Sequence, residues 1–255
     1  MKFSLRSQVF ILWWSLIFLL IYTFALVALL HIVPPPRATM TSEEVKSWYQ
    51  SHDDSIKWGA AVCAWTSAFF VPFSAIVAAQ IRRHEVGYPI WSQLTLISGG
   101  LTATFLVLPP IAFGAAAFNS GRSADATEVL HTFGLMMLVT TDMWYVFMWA
   151  AIIVIALRPS NVANAAFPRW FGYFTIFSMS VFEFGVFAYL NRTGPFAWNG
   201  IVVWWAVFGV FFAWCLTATY LMLQALKRQI AALGPDSDSA VDMELAGPAP
   251  MASVS

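Results

Sequence analysis

Long apolar runs separated by short polar joints set the pattern of this chain. Six runs, at about 9–33, 58–81, 91–117, 129–157, 170–190 and 198–226, are each long enough to cross a hydrocarbon core as a helix. The joints between them carry turn and breaker residues: "PPPR", "RRHEVGYP", "NSGRSADATE", "RPSNVANAAFPR" and "NRTGPFAWNG". The pattern predicts an all-α polytopic membrane protein, a bundle of six transmembrane helices occupying residues 1–228. The tail at 229–255 turns acidic and rich in Ala, Gly, Pro and Ser, and is expected to be disordered.

One joint has a helical pattern of its own. In "TSEE", Thr41 reads as an N-cap with Glu44 three residues later, the spacing of a capping box. Val45, Trp48 and Tyr49 follow at i, i+3 and i+4, predicting a short amphipathic helix at about 42–51. Such a helix could lie on the membrane surface or cover the mouth of the bundle. Within the third run, Pro110 removes a backbone donor and frees a carbonyl one turn earlier, so a bend is expected around 106–110.

Composition sharpens the class. Only 10% of residues are charged and 60% are hydrophobic, against about a quarter charged in soluble domains. Net charge is zero, so nothing points to nucleic acid. Cys63 and Cys215 both lie inside apolar runs, which excludes a disulfide framework or a zinc pattern in the loops. The first run is too long for a signal-peptide core and reads as a retained helix. Six spans place both termini on one side. That side gathers Lys2, Arg6, Arg82, Arg83, Arg158, Arg169, Lys227 and Arg228, against Arg37, Lys46, Lys57, Arg122 and Arg192 opposite. The bias favours both termini in the cytoplasm. Trp58, Trp91, Trp170 and Trp198 fall at predicted helix ends, the headgroup level that amphipathic rings prefer.

Against this background, two acids stand out. Asp142 lies thirteen residues into the fourth run, about 20 Å from its outer end and near the midplane, with no lysine or arginine within ten residues. A carboxylate there is costly and is expected to face the bundle interior or a wet cavity. Helical spacing puts Glu128, His131, Leu135, Leu138, Asp142, Tyr145 and Trp149 on one face, polar outward and aromatic inward. That face reads either as a path from outside water to a buried acid or as a bundle-facing helix with a wet top. Glu183 in "SVFEFGVF", with Ser180 and Phe187 on its face, is expected to be a second buried acid about 10 Å below the outer end of the fifth run. The expected ligand-contacting set is therefore Asp142, Glu183, His131, Tyr145 and Trp149.

Several chemistries compete for these residues. "EVLH" has the Glu-x-x-His spacing of di-iron bundles, but such sites need a second pair and two further glutamates. No metal or cofactor is expected. Two carboxyl groups in an aromatic cavity could instead protonate a lipid-soluble, terpenoid-like or steroid-like substrate, without the sequence assigning catalytic residues. Binding or passage of a small hydrophobic or amphipathic molecule is the leading expectation, and a structural or accessory subunit of a membrane complex is the third. No internal repeat supports an inverted-repeat transporter. The lipid bilayer is the expected partner, with a small hydrophobic ligand, and any oligomer or complex partner is left open.

"PPPRATMTSEEVKSWY", "VPFSAIVAAQIRR", "FPRWFGYF" and "NRTGPFAWNGIVVWW" together resemble a family of small bacterial integral membrane proteins of this length. The resemblance covers roughly residues 9–226. It implies six spans in a bacterial-type plasma membrane and carries no assigned reaction, so it transfers no site residue.

Overall fold

The structure, a computed structural model, describes residues 5–119, 121–140, 144–159 and 161–233. Among them there are nine α-helical segments and no strand. Six stretches are long and apolar enough to cross a membrane: Leu5–Leu29, Asp53–Arg82, Ile90–Phe118, Ala124–Leu157, Arg169–Tyr189 and Ile201–Ala232. The chain is therefore a multi-pass membrane protein, and its exterior is apolar where lipid must touch it. Phe10, Trp14, Ile97 and Phe177 all point outward.

The first span is α1 (Leu5–Phe24) continued by a π-helical turn, Ala25–Leu29. The loop helix α2 (Ser42–Ser51) follows. Thr41 accepts from the Glu44 amide and the Glu44 carboxylate accepts from the Thr41 amide, closing the capping box read in "TSEE". The second span is α3 (Asp53–Thr66), a 3₁₀ turn (Ser67–Phe69) and α4 (Phe70–Arg82). The 3₁₀ turn lies just before Pro72, whose missing N–H weakens regular α bonding there. The third span is α5 (Ile90–Phe118), and the fourth comprises α6 (Ala124–Thr140) and α7 (Tyr145–Leu157). The fifth is α8 (Arg169–Phe182) with a 3₁₀ extension, Glu183–Tyr189. The sixth begins as a π helix, Ile201–Ala206, and becomes α9 (Val207–Leu233). That last helix passes the expected boundary at 228. Gln229 is buried and donates to Gln80 Oε1 and to the Asn164 carbonyl, both at 3.0 Å, which holds the extra turn. Residues 234–255 lie outside the described residues.

Lipid is as apolar as the helix surfaces, so packing and small residues rather than water exclusion hold such a bundle. On α5, Ser92, Thr95, Ser98, Gly99, Thr102 and Ala103 recur at helical spacing and are all buried. This narrow seam brings α4 close, since a Cβ at Gly99 would overlap the Ser74 side chain. Ser98 Oγ donates across to the Trp144 carbonyl at the start of the second half of the fourth span. Pro110 cannot donate to Leu106, and Tyr22 of α1 fills the vacancy: its hydroxyl donates to the Leu106 carbonyl at 2.7 Å. The freed carbonyl expected from the sequence thus becomes a bond between the first and third spans.

Candidate functional site

The predicted site residues separate into distinct surroundings. His131 is 1% exposed, and the outer part of α6 is covered, not wet. Val45 and Tyr49 of α2 are buried, with the Tyr49 hydroxyl 3.2 Å from His131 Nδ1. Trp48, Tyr49, Phe113 and Trp198 stand around the imidazole with ring centroids 5.7 to 6.4 Å away. Burial pushes the Tyr49 phenol well above its ordinary range, so it stays a donor. With Tyr49 donating to Nδ1, the imidazole hydrogen sits on Nε2, which has no partner among the described residues. The expected water path to a buried acid is closed at this level.

The loops complete the closure. Trp198, expected at the interface, instead turns inward at 5% exposure, and its indole donates to the Pro36 carbonyl at 2.9 Å. Arg192 donates to the Ala38 carbonyl at 3.3 and 3.4 Å, while the Ala38 amide donates to Asn199 Oδ1 at 3.4 Å. The first and last loops on this end are thereby tied together. Glu128 has a different partner from His131: its carboxylate accepts from Ser42 Oγ at 2.7 Å. Among the described residues, no group of three or more His, Cys, Asp or Glu is placed to hold a metal.

Tyr145 and Trp149 lie deeper, in an aromatic core. Trp149 is fully buried with Tyr145, Phe182 and Trp214 at 5.7, 4.9 and 5.2 Å between centroids. Its indole Nε1 has no partner among the described residues. Beside this core is a cavity between α5, the fourth span, α8 and α9. Thr102, Phe105 and Leu106 form one wall, Leu138 and Tyr145 the second, and Phe182, Val207, Phe208 and Phe211 the rest. Its cavity volume is about 40 Å³. That is room for roughly three waters. Most hydroxyls on these helices bond back to the carbonyl four residues earlier, as Thr95, Thr140, Thr175 and Thr219 do. Thr102 does not: its Oγ1 is buried on the cavity wall and has no partner among the described residues. Sequence reasoning missed Thr102, although the hydroxyl series at 92, 95, 98 and 102 on an apolar helix marks the face that holds it.

Glu183 corrects the expectation. It is exposed on the outer surface of the bundle where α8 gives way to 3₁₀ turns, and it does not line the cavity. The buried face of α8 runs through Phe171, Gly172, Thr175, Ser178 and Phe182, and the next residue projects about 100° away from it. Asp142 lies outside the described residues, between the cavity-lining Leu138 and Tyr145 in sequence. The structure therefore brings Tyr145 and Trp149 together, sets His131 apart beneath α2, and leaves Glu183 on the exterior. Comparison with protein-family models, with curated proteins and with solved structures finds no match.

Proposed function

We propose that this protein binds or moves a small hydrophobic or amphipathic molecule through a pocket inside the membrane. The observation that carries the reading is the cavity between α5 and α9, with aromatic and aliphatic walls and one hydroxyl, Thr102 Oγ1, without a partner among the described residues. Apolar walls with few polar groups are the usual composition of a ligand pocket. A guest with an apolar body and one hydrogen-bonding group matches that inventory. As it stands the space suits a molecule of a few heavy atoms, and a larger one requires Phe105 or Phe208 to change rotamer. Asp142, flanked in sequence by two wall residues, is the proposed polar determinant, together with Tyr145 and Trp149. Eight basic residues against five support a plasma membrane setting with both termini in the cytoplasm. The likeness to small bacterial six-span proteins agrees with that setting.

Asp142→Asn tests the reading. The variant is expected to fold and express normally while losing binding or transport of a labelled short-chain alkanol in proteoliposomes. A variant that fails to fold makes the acid structural and ends the proposal.

An accessory role in a membrane complex draws on a different observation, the exposed Glu183 among Phe184, Val186 and Phe187. A carboxyl group on a lipid-facing surface is costly, and a neighbouring helix could satisfy it. Co-purification of a partner, lost in Glu183→Leu, would favour it. The intramembrane acid–base reading asks for two carboxyl groups around one cavity and lacks support from Glu183.

A further inference from the structure

A second concavity lies on the outer flank of α6, separate from the internal cavity. Space for water-sized spheres there totals about 500 Å³, within the range of small-molecule sites. Its walls are Val129, Phe133, Met136 and Met137 with Thr132 among them, and Glu128 stands at one end and Thr140 beside Tyr189 at the other. Methionine side chains adapt readily to flexible chains.

The two ends differ in what they offer. At the upper end, Glu128 is half-buried and takes one hydrogen bond, from Ser42. It forms no ion pair among the described residues: Arg37 pairs with Glu44, and Lys57 with Asp53 and Asp54. At the lower end, Thr140 Oγ1 donates its only hydrogen to the Met136 carbonyl at 2.6 Å. The 2.9 Å contact between the hydroxyls then has Tyr189 donating to Thr140. Both donors are used, so this floor offers nothing to a polar group that needs one. From residue 128 to residue 140 is roughly 18 Å along a helix, the reach of a dodecyl to tetradecyl chain.

We infer that this groove binds a single-chain alkylammonium amphiphile, its cationic head on the Glu128 carboxylate and its methyl end against the Thr140–Tyr189 pair. Charge complementarity sets the direction, because a negative oxygen with no cation partner stands at one end of an apolar trough. An alkanol lacks the charge for Glu128, and an α,ω-diamine brings a second cation to an end whose lining carries no carboxylate to match it.

The test is equilibrium binding of radiolabelled dodecylamine to the full-length protein in nanodiscs, with empty nanodiscs subtracted. Saturable one-to-one binding is expected. Glu128→Gln keeps an acceptor for Ser42, removes the charge and is expected to weaken binding about tenfold. Asp125→Asn, a charge change in the first turn of α6 away from the groove, is expected to leave it within about twofold. Met136→Trp fills the trough and abolishes binding, whereas Thr102→Val, in the internal cavity, leaves it intact. Equal binding by wild type and Glu128→Gln overturns the inference, as does equal competition by dodecanol or by the diamine. Should Glu128→Gln misfold, Met136→Trp and the dodecanol competition decide the matter alone.

Discussion

The two ends of the bundle are closed by different chemistry. At the end bearing α2, the seal is aromatic and made by loops: Trp198 and Trp48 against His131, and Arg192, Asn199 and Trp198 on the backbone of residues 36–38. Three spans leave regular α geometry here, at Ala25–Leu29, Glu183–Tyr189 and Ile201–Ala206. At the end bearing the termini, the ties are amide and guanidinium bonds between regular helices and one loop. Gln229 reaches Gln80 and Asn164, and Arg83 reaches the Ala163 and Asn164 carbonyls at 2.8 and 3.3 Å. Glu85 caps α5 by accepting from the Trp91 and Ser92 amides. π and 3₁₀ turns cluster at functional positions in helices because they re-aim side chains and leave room. The internal cavity sits against two such stretches, through Phe182 and Val207. The regular end is thus tied helix to helix, and the cavity proposed to take a guest adjoins the irregular end.

Breaking the aromatic seal should have the largest effect. Trp198→Ala removes a buried indole, its contacts with His131 and its bond to Pro36, at a cost of about 3 kcal/mol. Limited proteolysis should then cut within α2 and its flanking loops, while the termini end stays protected. Cleavage spread evenly over both ends would contradict the division. Gln229→Ala is the matching change at the regular end. It removes two hydrogen bonds and should cost about 1 to 2 kcal/mol. Hydrogen exchange should rise in the last turns of α9 and leave α2 unchanged.

The smallest effect concerns acidity. His31 stands 4.6 Å from His52 between ring centroids and contacts Ser55 Oγ at 3.1 Å, with Asp53 and Asp54 nearby but engaged by Lys57. Partial burial, and then the neighbouring His52, hold the His31 ring below its usual range. The folded loop therefore prefers the neutral ring. Its contribution is complete above the ordinary value of 6.5 and is lost as pH falls from there through the lowered value of the folded ring. Exchange protection of α2 should decline as pH falls below about 7, and His31→Gln should flatten the decline. An unchanged profile in that variant would remove His31 from the account.

The spans and the capping box were legible because each rests on a local rule: apolar length for the helices, and a reciprocal Thr41–Glu44 bond for α2. The carbonyl freed by Pro110 was equally local, but its partner Tyr22 was not, since eighty-four positions separate Tyr22 from Leu106. Orientation was the hard part. A helix that is apolar all round has no stripe to fix its rotation, and Ser180, Glu183 and Phe187, which α spacing puts on one bundle-facing side, are each exposed. The shift to 3₁₀ winding at Glu183 turns successive side chains further than α periodicity assumes. Trp198 went astray for a related reason. The preference of tryptophan for the interface is a tendency of exposed rings, and the Pro36 carbonyl offered this one an inward partner.

The central claim is that the cavity between α5 and α9 takes a small apolar guest, and photolabelling reads it most directly. A short-chain alkanol carrying a diazirine, irradiated with the protein in nanodiscs and mapped by mass spectrometry, should mark Phe105, Phe208 and their neighbours on the cavity wall. Thr102→Trp, which fills the space, should abolish those labels and spare the lipid-facing ones. Labels distributed over the lipid-facing surface alone, unchanged by Thr102→Trp, would contradict the account.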